Sequence, residues 1–279
     1  MSSGTRWFGT AAVVLAFAGG CTTAPQETPP PAVPPAPAPV TQSSEPPPKQ
    51  AGTHRAGDCL AIVDNAFRKI GCEAEHQAEV IMSDHLPPGF AADYPPSTTP
   101  VAPTCRAEMA RYLGSQDVPA TRLEHRVLWP TAEEWTSGAR WFACAIMERD
   151  PENKAAKRTG SLAGALSAGL GSLRKCYTED PLAEGTRVVG CDQPHRSEAT
   201  PRVIPLGSHT DPAPAYEESM KKVMPRCETA VATFLDGKRP DATPGVILPA
   251  TEYWASGATT GVCYIHTPEP VTGTLSPEQ

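Results

Sequence analysis

The chain is written twice. Pro130, Glu133, Trp135, Ser137, Gly138, Ala139 and Cys144 return, in the same order and at the same spacings, as Pro249, Glu252, Trp254, Ser256, Gly257, Ala258 and Cys263. Upstream, Gly71, Cys72, His76 and Glu79 are matched by Gly190, Cys191, His195 and Glu198. Identities held at fixed offsets mark a duplication, and a duplication decides the architecture ahead of any local propensity. The unit that is copied spans only roughly 90 residues, so each copy has a small core and needs help to stay folded. The duplication also speaks against a dedicated enzyme, because a catalytic constellation is normally present once per active site.

The help is supplied by cysteine. Of nine cysteines, Cys21 stands alone near the N-terminus, and the other eight divide evenly. Cys59, Cys72, Cys105 and Cys144 fall in the first copy, and Cys176, Cys191, Cys227 and Cys263 in the second. Four per copy in an exported chain reads as two disulfides per copy. Zinc is the competing reading, but the paired C-x2-4-C spacing of zinc sites is missing. Four cysteines allow three pairings; joining nearest neighbours, Cys59 with Cys72 and Cys105 with Cys144, is the default. In the chain-entropy picture each bridge contributes roughly 3 to 4 kcal/mol.

The N-terminal residues place the chain outside the cytoplasm. Residues 1–20 read as a signal peptide, with Arg6 for the positive region, Trp7 to Ala18 as an apolar run and Gly19-Gly20 as the small residues before Cys21. The run is shorter than the ~20 residues that cross a bilayer. It resembles a bacterial lipobox, with Ala18 where leucine is usual, which implies that Cys21 becomes the lipidated N-terminus. Residues 21–56 then form a lipid-anchored stalk. Eleven of the 33 prolines lie between Pro25 and Pro48, and a segment with so few large apolar side chains stays disordered or extended as polyproline II. At a net charge of −7, the chain lacks the basic face of a nucleic-acid binder and has no electrostatic attraction to anionic membranes.

The folded copies are expected at 57–150 and 173–275, joined by a linker at 151–172 and followed by a short tail at 276–279. In the first, Cys59 to Val63 and Phe67 to Cys72 flank Asp64-Asn65 as a hairpin. Ala78 to Met82 is a third strand, Leu86 to Pro103 an exposed proline-rich loop, and Cys105 to Leu113 a helix stopped by Gly114. Arg126 to Trp129 and Arg140 to Met147 are strands around a helical turn at Thr131 to Glu134. The second copy repeats the order with strands at Leu173 to Tyr177, Thr186 to Cys191, Ser197 to Ile204, Val246 to Leu248 and Gly261 to His266. Its helix, Tyr216 to Leu235, should break or be capped near Pro225. Cys105, Ala110, Tyr112 and Leu113 occupy the helix offsets of Cys227, Ala232, Phe234 and Leu235. In the linker, Leu162, Leu166, Leu170 and Leu173 share one face of a helix weakened by glycines. Thr159-Gly160-Ser161-Leu162 is echoed after the second copy by Thr272-Gly273-Thr274-Leu275.

Gly57-Asp58-Cys59, the Cys72/His76/Glu79-Val80 run, a helix beginning at a cysteine and the Pro/Trp/Gly/Cys motif together resemble the actinobacterial septum formation family. In the second copy Cys191-Asp192-Gln193-Pro194-His195 is similar to that family's Cys-x-x-Pro-His, whereas Arg174-Lys175 replaces Gly-Asp before Cys176. The resemblance implies an extracytoplasmic, often membrane-anchored domain associated with septation. It brings no catalytic mechanism.

Chemistry is therefore sought in the residues themselves. His76 with Glu79 and His195 with Glu198 are the candidate binding residues. Residues three apart face opposite sides of a strand but converge on a turn or helix, where they hold a metal or a proton, or else only a structural hydrogen bond. No third metal ligand is evident nearby, so no metal or cofactor is assigned. A Cys-His nucleophile needs a free thiol, which even pairing denies, and Ser137 and Ser256 lack a nucleophile elbow. No residue is assigned as catalytic. Trp135 and Trp254 read as core plugs, and Glu133 and Glu252 as caps of the following turn.

The fold expected is α+β: two tandem disulfide-stapled repeats, each a small antiparallel sheet with one helix. The function expected is a non-catalytic extracytoplasmic lipoprotein at the outer face of the cell membrane. It would be held there by its N-terminal lipid and would bind or scaffold an envelope protein or wall polymer, in septum formation or envelope assembly. The rivals are a metal-dependent or enzymatic envelope factor built on the two His-Glu pairs, and a sensor domain for a membrane partner. The oligomeric state is left open.

Overall fold

The structure, a computed structural model, describes residues 54–87, 89–90 and 93–275. The expected signal peptide, Cys21, nearly all of the stalk and the tail at 276–279 lie outside the described residues.

In the first copy, strands β1 (Cys59–Val63) and β2 (Ala66–Ile70) pair antiparallel about Asp64 and Asn65. Both turn residues have left-handed backbone, φ 51° and 60°, which is what a two-residue hairpin turn demands and what Asp and Asn tolerate. Strand β3 (Ala78–His85), helix α1 (Ala102–Leu113), strand β4 (Leu123–Leu128), the short helix α2 (Ala132–Thr136) and strand β5 (Trp141–Glu148) follow. They complete an antiparallel sheet of order β2-β1-β3-β5-β4. The second copy supplies β6 (Cys176–Tyr177), β7 (Val188–Val189), β8 (His195–Ala199), β9 (Ile204–Pro205), α3 (Tyr216–Leu235), β10 (Thr243–Ile247) and β11 (Thr260–Val271). Its order, β7-β6-β8-β11-β10, is the order of the first sheet, with β9 added beside β11. The duplication read in the motifs is thus a duplication of topology.

The place of β5 inside the first sheet, between β3 and β4, explains its continuous apolar sequence. Phe142, Cys144 and Ile146 face α1 and pack with Ile81, Met109 and Leu113, while Trp141, Ala143, Ala145 and Met147 fill the other face with Leu60 and Val80. A strand buried on both faces shows no polar alternation. In β11, Cys263 and Ile265 take the positions of Cys144 and Ile146 and meet the α3 residues Val223, Cys227, Val231 and Leu235.

Four disulfides staple these layers. Cys59–Cys72 and Cys176–Cys191 close each first hairpin, and Cys105–Cys144 and Cys227–Cys263 pin α1 to β5 and α3 to β11, with Cα separations of 5.2 to 5.4 Å. The nearest-neighbour pairing holds in both copies.

Several expectations are corrected. Helix α1 begins at Ala102 rather than Cys105, because Pro103 sits in its first turn, where a missing N–H breaks no helical bond. The preceding proline-rich stretch is not simply exposed, since Leu86, Pro96 and Val101 are buried. Helix α3 runs unbroken through Pro225. A proline there costs about 3 kcal/mol, but Val223 and Cys227 on either side are fully buried and Cys227 is bonded to β11, so the helix is held at both flanks. The strand expected over Ser197 to Ile204 splits into β8 and β9, because Pro201 has no N–H to give to a ladder and Arg202 takes φ 70°.

The segment 151–172 contains no α-helix. Gly164, Gly169 and Gly171 all have positive φ, so the chain coils in tight turns instead. Leu162, Leu166, Leu170 and Leu173 are nevertheless all buried, the first two and the last against the α1 face of the first sheet. Leu170 joins Ala120, Tyr177, Ala199 and Val262 where the two copies meet. There Asp117 Oδ1 accepts the backbone N–H groups of Arg202 and Val203 at 2.7 and 2.9 Å, and Arg106 Nε donates to Ser256 O at 3.0 Å. Gly257 closes the second signature motif with φ 86°, and a Cβ on it would sit 3.1 Å from Pro103 Cα. Gly138, its counterpart, has φ 96° and open space, so backbone conformation requires glycine in both copies and the contact between copies adds a second reason in one.

Candidate functional site

The two His-Glu pairs occupy equivalent positions, and all four side chains are buried. His76 lies just before β3 and His195 opens β8. Each imidazole is held by the turn behind it: Nδ1 of His76 donates to Ala74 O and Nδ1 of His195 to Gln193 O, both at 2.8 Å. The assignment of the proton follows from the partner, since a carbonyl only accepts. Nε2 of each ring is buried without a hydrogen-bond partner among the described residues.

Each glutamate fastens the segment that follows its own copy. Glu79 accepts from Tyr112 Oη at 2.6 Å, Ser161 Oγ at 2.5 Å and the Leu162 N–H at 2.6 Å. Burial, and then the bond to Glu79, raises the Tyr112 phenol above its usual pKa, which keeps it a donor. Glu198 accepts the Leu275 N–H at 2.7 Å. One residue type apart, the backbone repeats as well: Gly160 N donates to Cys72 O and Gly273 N to Cys191 O, both at 2.7 Å. The echoed Thr-Gly-x-Leu runs are therefore two copies of one strap, drawn past the start of β3 and of β8 beside the hairpin disulfide and locked by the glutamate.

The copies satisfy their carboxylates differently. Where Tyr112 donates a hydroxyl, the second copy has Phe234 and loses that donor. Arg174, which replaces Gly57, places Nη1 2.7 Å from Glu198 Oε1 and its guanidinium 4.8 Å over the Phe234 ring. The contact is one of charge rather than an aligned hydrogen bond, as Glu198 Oε1 has no hydrogen-bond partner by geometry. Burial lowers the Arg174 pKa and Glu198 offsets this only in part. Gly57 has φ 88° whereas Arg174 has φ −55°, so the departure from Gly-Asp at this turn is a change of backbone as well as of side chain. His195 Nε2 also lies 3.8 Å from Glu198 Oε2. The two converge although three apart in sequence, because the pairing of β8 with β11 shifts register between His266 and Val271 and the segment is not one straight strand.

As a metal site the cluster has the right elements in the wrong state. Ligand atoms of Cys176, Cys191 and His195 lie within 4.8 Å of one another, but the two sulfurs are bonded at 2.02 Å and offer no thiolate. The remaining candidates of the signature are structural in place. Trp135 and Trp254 are buried in the two cores, and Trp254 Nε1 donates to Asp211 O at 2.8 Å. The cap of α2 is Thr131 with Glu134, which exchange bonds with each other's backbone at 3.2 and 2.8 Å; Glu133 makes no such cap and is exposed. The partners of the glutamates, Tyr112, Ser161, Arg174 and the Leu162 and Leu275 backbones, were not singled out by residue type. The doubled Thr-Gly-x-Leu run was the signal that pointed to Ser161, Leu162 and Leu275.

No helix among the described residues is long and apolar enough to cross a membrane. Two uncharacterized membrane proteins of Mycobacterium tuberculosis, one in strain CDC 1551 / Oshkosh and one in strain ATCC 25618 / H37Rv, are each 24% identical over 234 residues. The match covers 75% of this chain and 51% of either relative, so the chain spans about half the length of the curated relatives it matches. No solved structure matches it. The family model described as septum formation matches residues 56–263, a span that takes in both copies of the signature, and the chain belongs to that family.

Proposed function

We propose that the chain is a non-catalytic extracytoplasmic module, tethered to the outer face of the membrane through a lipid on Cys21, that binds or scaffolds an envelope protein or wall polymer during septum formation. The observation that carries this reading is the use to which the duplicated chemistry is put. The residues that most resembled an active site, His76 with Glu79 and His195 with Glu198, are buried, and both glutamates bond the straps that follow their own copies. A catalytic pair needs a substrate within hydrogen-bond reach, and a buried pair without an opening has none. Family membership and the membrane-protein relatives support an envelope setting.

The test has two arms on the full chain in an actinobacterial host. Cys21→Ser should move the protein from the membrane fraction to the soluble extracytoplasmic fraction, and an unchanged distribution would remove the lipid anchor. Chemical crosslinking of the native chain in dividing cells should recover an envelope protein or wall polymer. Recovery of neither overturns the binding reading.

A further inference from the structure

A cavity of about 370 Å³ opens beside the first copy, lined by Glu148, Arg158, Ala165, Leu170, Ser172 and Leu173, with Gly171. Its volume falls in the range of small-molecule sites, but it is a shallow, open depression whose surface is about as polar as apolar, with Leu170 and Leu173 forming its floor. The charge on it is unbalanced. Glu148 Oε1 is taken by Arg122 Nη2 at 2.8 Å, and that guanidinium also donates to Ser172 O at 2.8 Å. Arg158 Nη1 donates to the other oxygen of Glu148 at the long distance of 3.5 Å, and its buried Nε has no hydrogen-bond partner among the described residues. Two cations thus share one carboxylate.

The second copy acts as an internal control for what the fold itself needs. By strand register, Glu148 corresponds to Thr267, and Arg158, which pairs with His76, corresponds to Val271, which pairs with His195. The second strap closes with these uncharged residues, so strap closure does not require Glu148 or Arg158. We infer that this cavity is a binding site for a small organic anion, a carboxylate or phosphate with a short apolar portion, whose charged end is taken by Arg158 and whose apolar end lies on Leu170 and Leu173. Arg158 has the planar fork that recognises either group, and Glu148 fixes the orientation of the arginines. The inference rests on the reading of the chain as a binding module.

The test is calorimetric titration of the full chain, purified in detergent, with hexyl phosphate, hexanoate, hexanol and inorganic phosphate. Saturable binding of hexyl phosphate or hexanoate is expected, the tighter of the two identifying the charged group, with no binding of hexanol. Arg158→Gln should weaken binding by about tenfold or more, the loss of one charge-assisted interaction. Arg68→Gln, on exposed β2, should leave it unchanged. Should Arg158→Gln fail to fold, Ser172→Asp at the exposed rim should abolish binding by repulsion. Absence of saturable binding by both anions, or equal affinity in the native chain and the folded variant, overturns the inference. Such a failure would leave an envelope partner recovered by crosslinking untouched.

Discussion

The different ways in which the two copies satisfy their buried glutamates give a quantitative test of the strap. Arg174→Ala removes the cation 2.7 Å from Glu198, in a pair whose members are both buried. Deleting one partner of a buried pair leaves an uncompensated charge and typically costs 3 to 5 kcal/mol; the residual contact with the Leu275 N–H argues for the lower end, about 3 kcal/mol. The first copy shows how the same carboxylate is held without an arginine, by the Tyr112 hydroxyl. Phe234→Tyr should therefore restore about 1 to 2 kcal/mol in the Arg174→Ala background, the worth of a hydrogen bond to a charged acceptor after partial realignment. In the native background, where the guanidinium covers the Phe234 ring, the same substitution should be neutral or unfavourable. Guanidinium chloride unfolding of the four proteins, with disulfides intact, gives the coupling directly as a double-mutant cycle. A loss below about 0.5 kcal/mol for Arg174→Ala, or a Phe234→Tyr effect identical in both backgrounds, would refute the reasoning.

Three further outcomes follow from the same geometry. Reduction of the four disulfides should unfold the chain at room temperature, because each closed loop contributes roughly 3 to 4 kcal/mol and the cores are small; a melting temperature unchanged by reductant would contradict this. His125 is pushed down to about 4, first by burial and then by Arg106. Its folded pKa lies below the ordinary 6.5, so the unfolded chain takes up the proton first as pH falls. Its contribution is complete above pH 6.5 and is lost towards pH 4, by about 2 kcal/mol allowing for its partial exposure. His125→Asn should flatten that part of the stability–pH curve, and an unchanged slope would remove His125 as its cause. Leu162→Ala, at a fully buried strap residue, should cost about 2 to 4 kcal/mol, measured by denaturant midpoint, against about 0.5 kcal/mol or less for Leu182→Ala at an exposed site.

Much of this fold was legible because duplication supplies two readings of each element. The hairpin at Asp64-Asn65 came from local turn chemistry, the ends of α3 from its own apolar spacing, and the division of eight cysteines into four per copy from the repeat, with nearest-neighbour pairing as the default that the structure bears out. What was missed depended on contacts distant in sequence. Pro225 lies within α3 because tertiary packing and the Cys227–Cys263 bond outweigh one lost N–H. Leu162, Leu166, Leu170 and Leu173 share a face by their spacing, yet they reach the core through glycine turns and not a helix, since several tight turns can present leucines to a core as well as one helix can. The glutamates were recognised as important by their repetition, but their partners sit tens of residues away, and spacing alone does not tell a carboxylate that binds a ligand from one that binds its own chain.

Glu79 and Glu198, buried beside their histidines, lock two equivalent straps. Residue-resolved hydrogen exchange tests this most directly. In the native chain the Gly160, Leu162, Gly273 and Leu275 amides, each bonded to a backbone carbonyl or a buried glutamate, should all exchange slowly. Glu79→Gln should release the first strap alone and Glu198→Gln the second alone. Straps that exchange in the native protein as fast as unstructured chain, or protection that survives both substitutions, would contradict it.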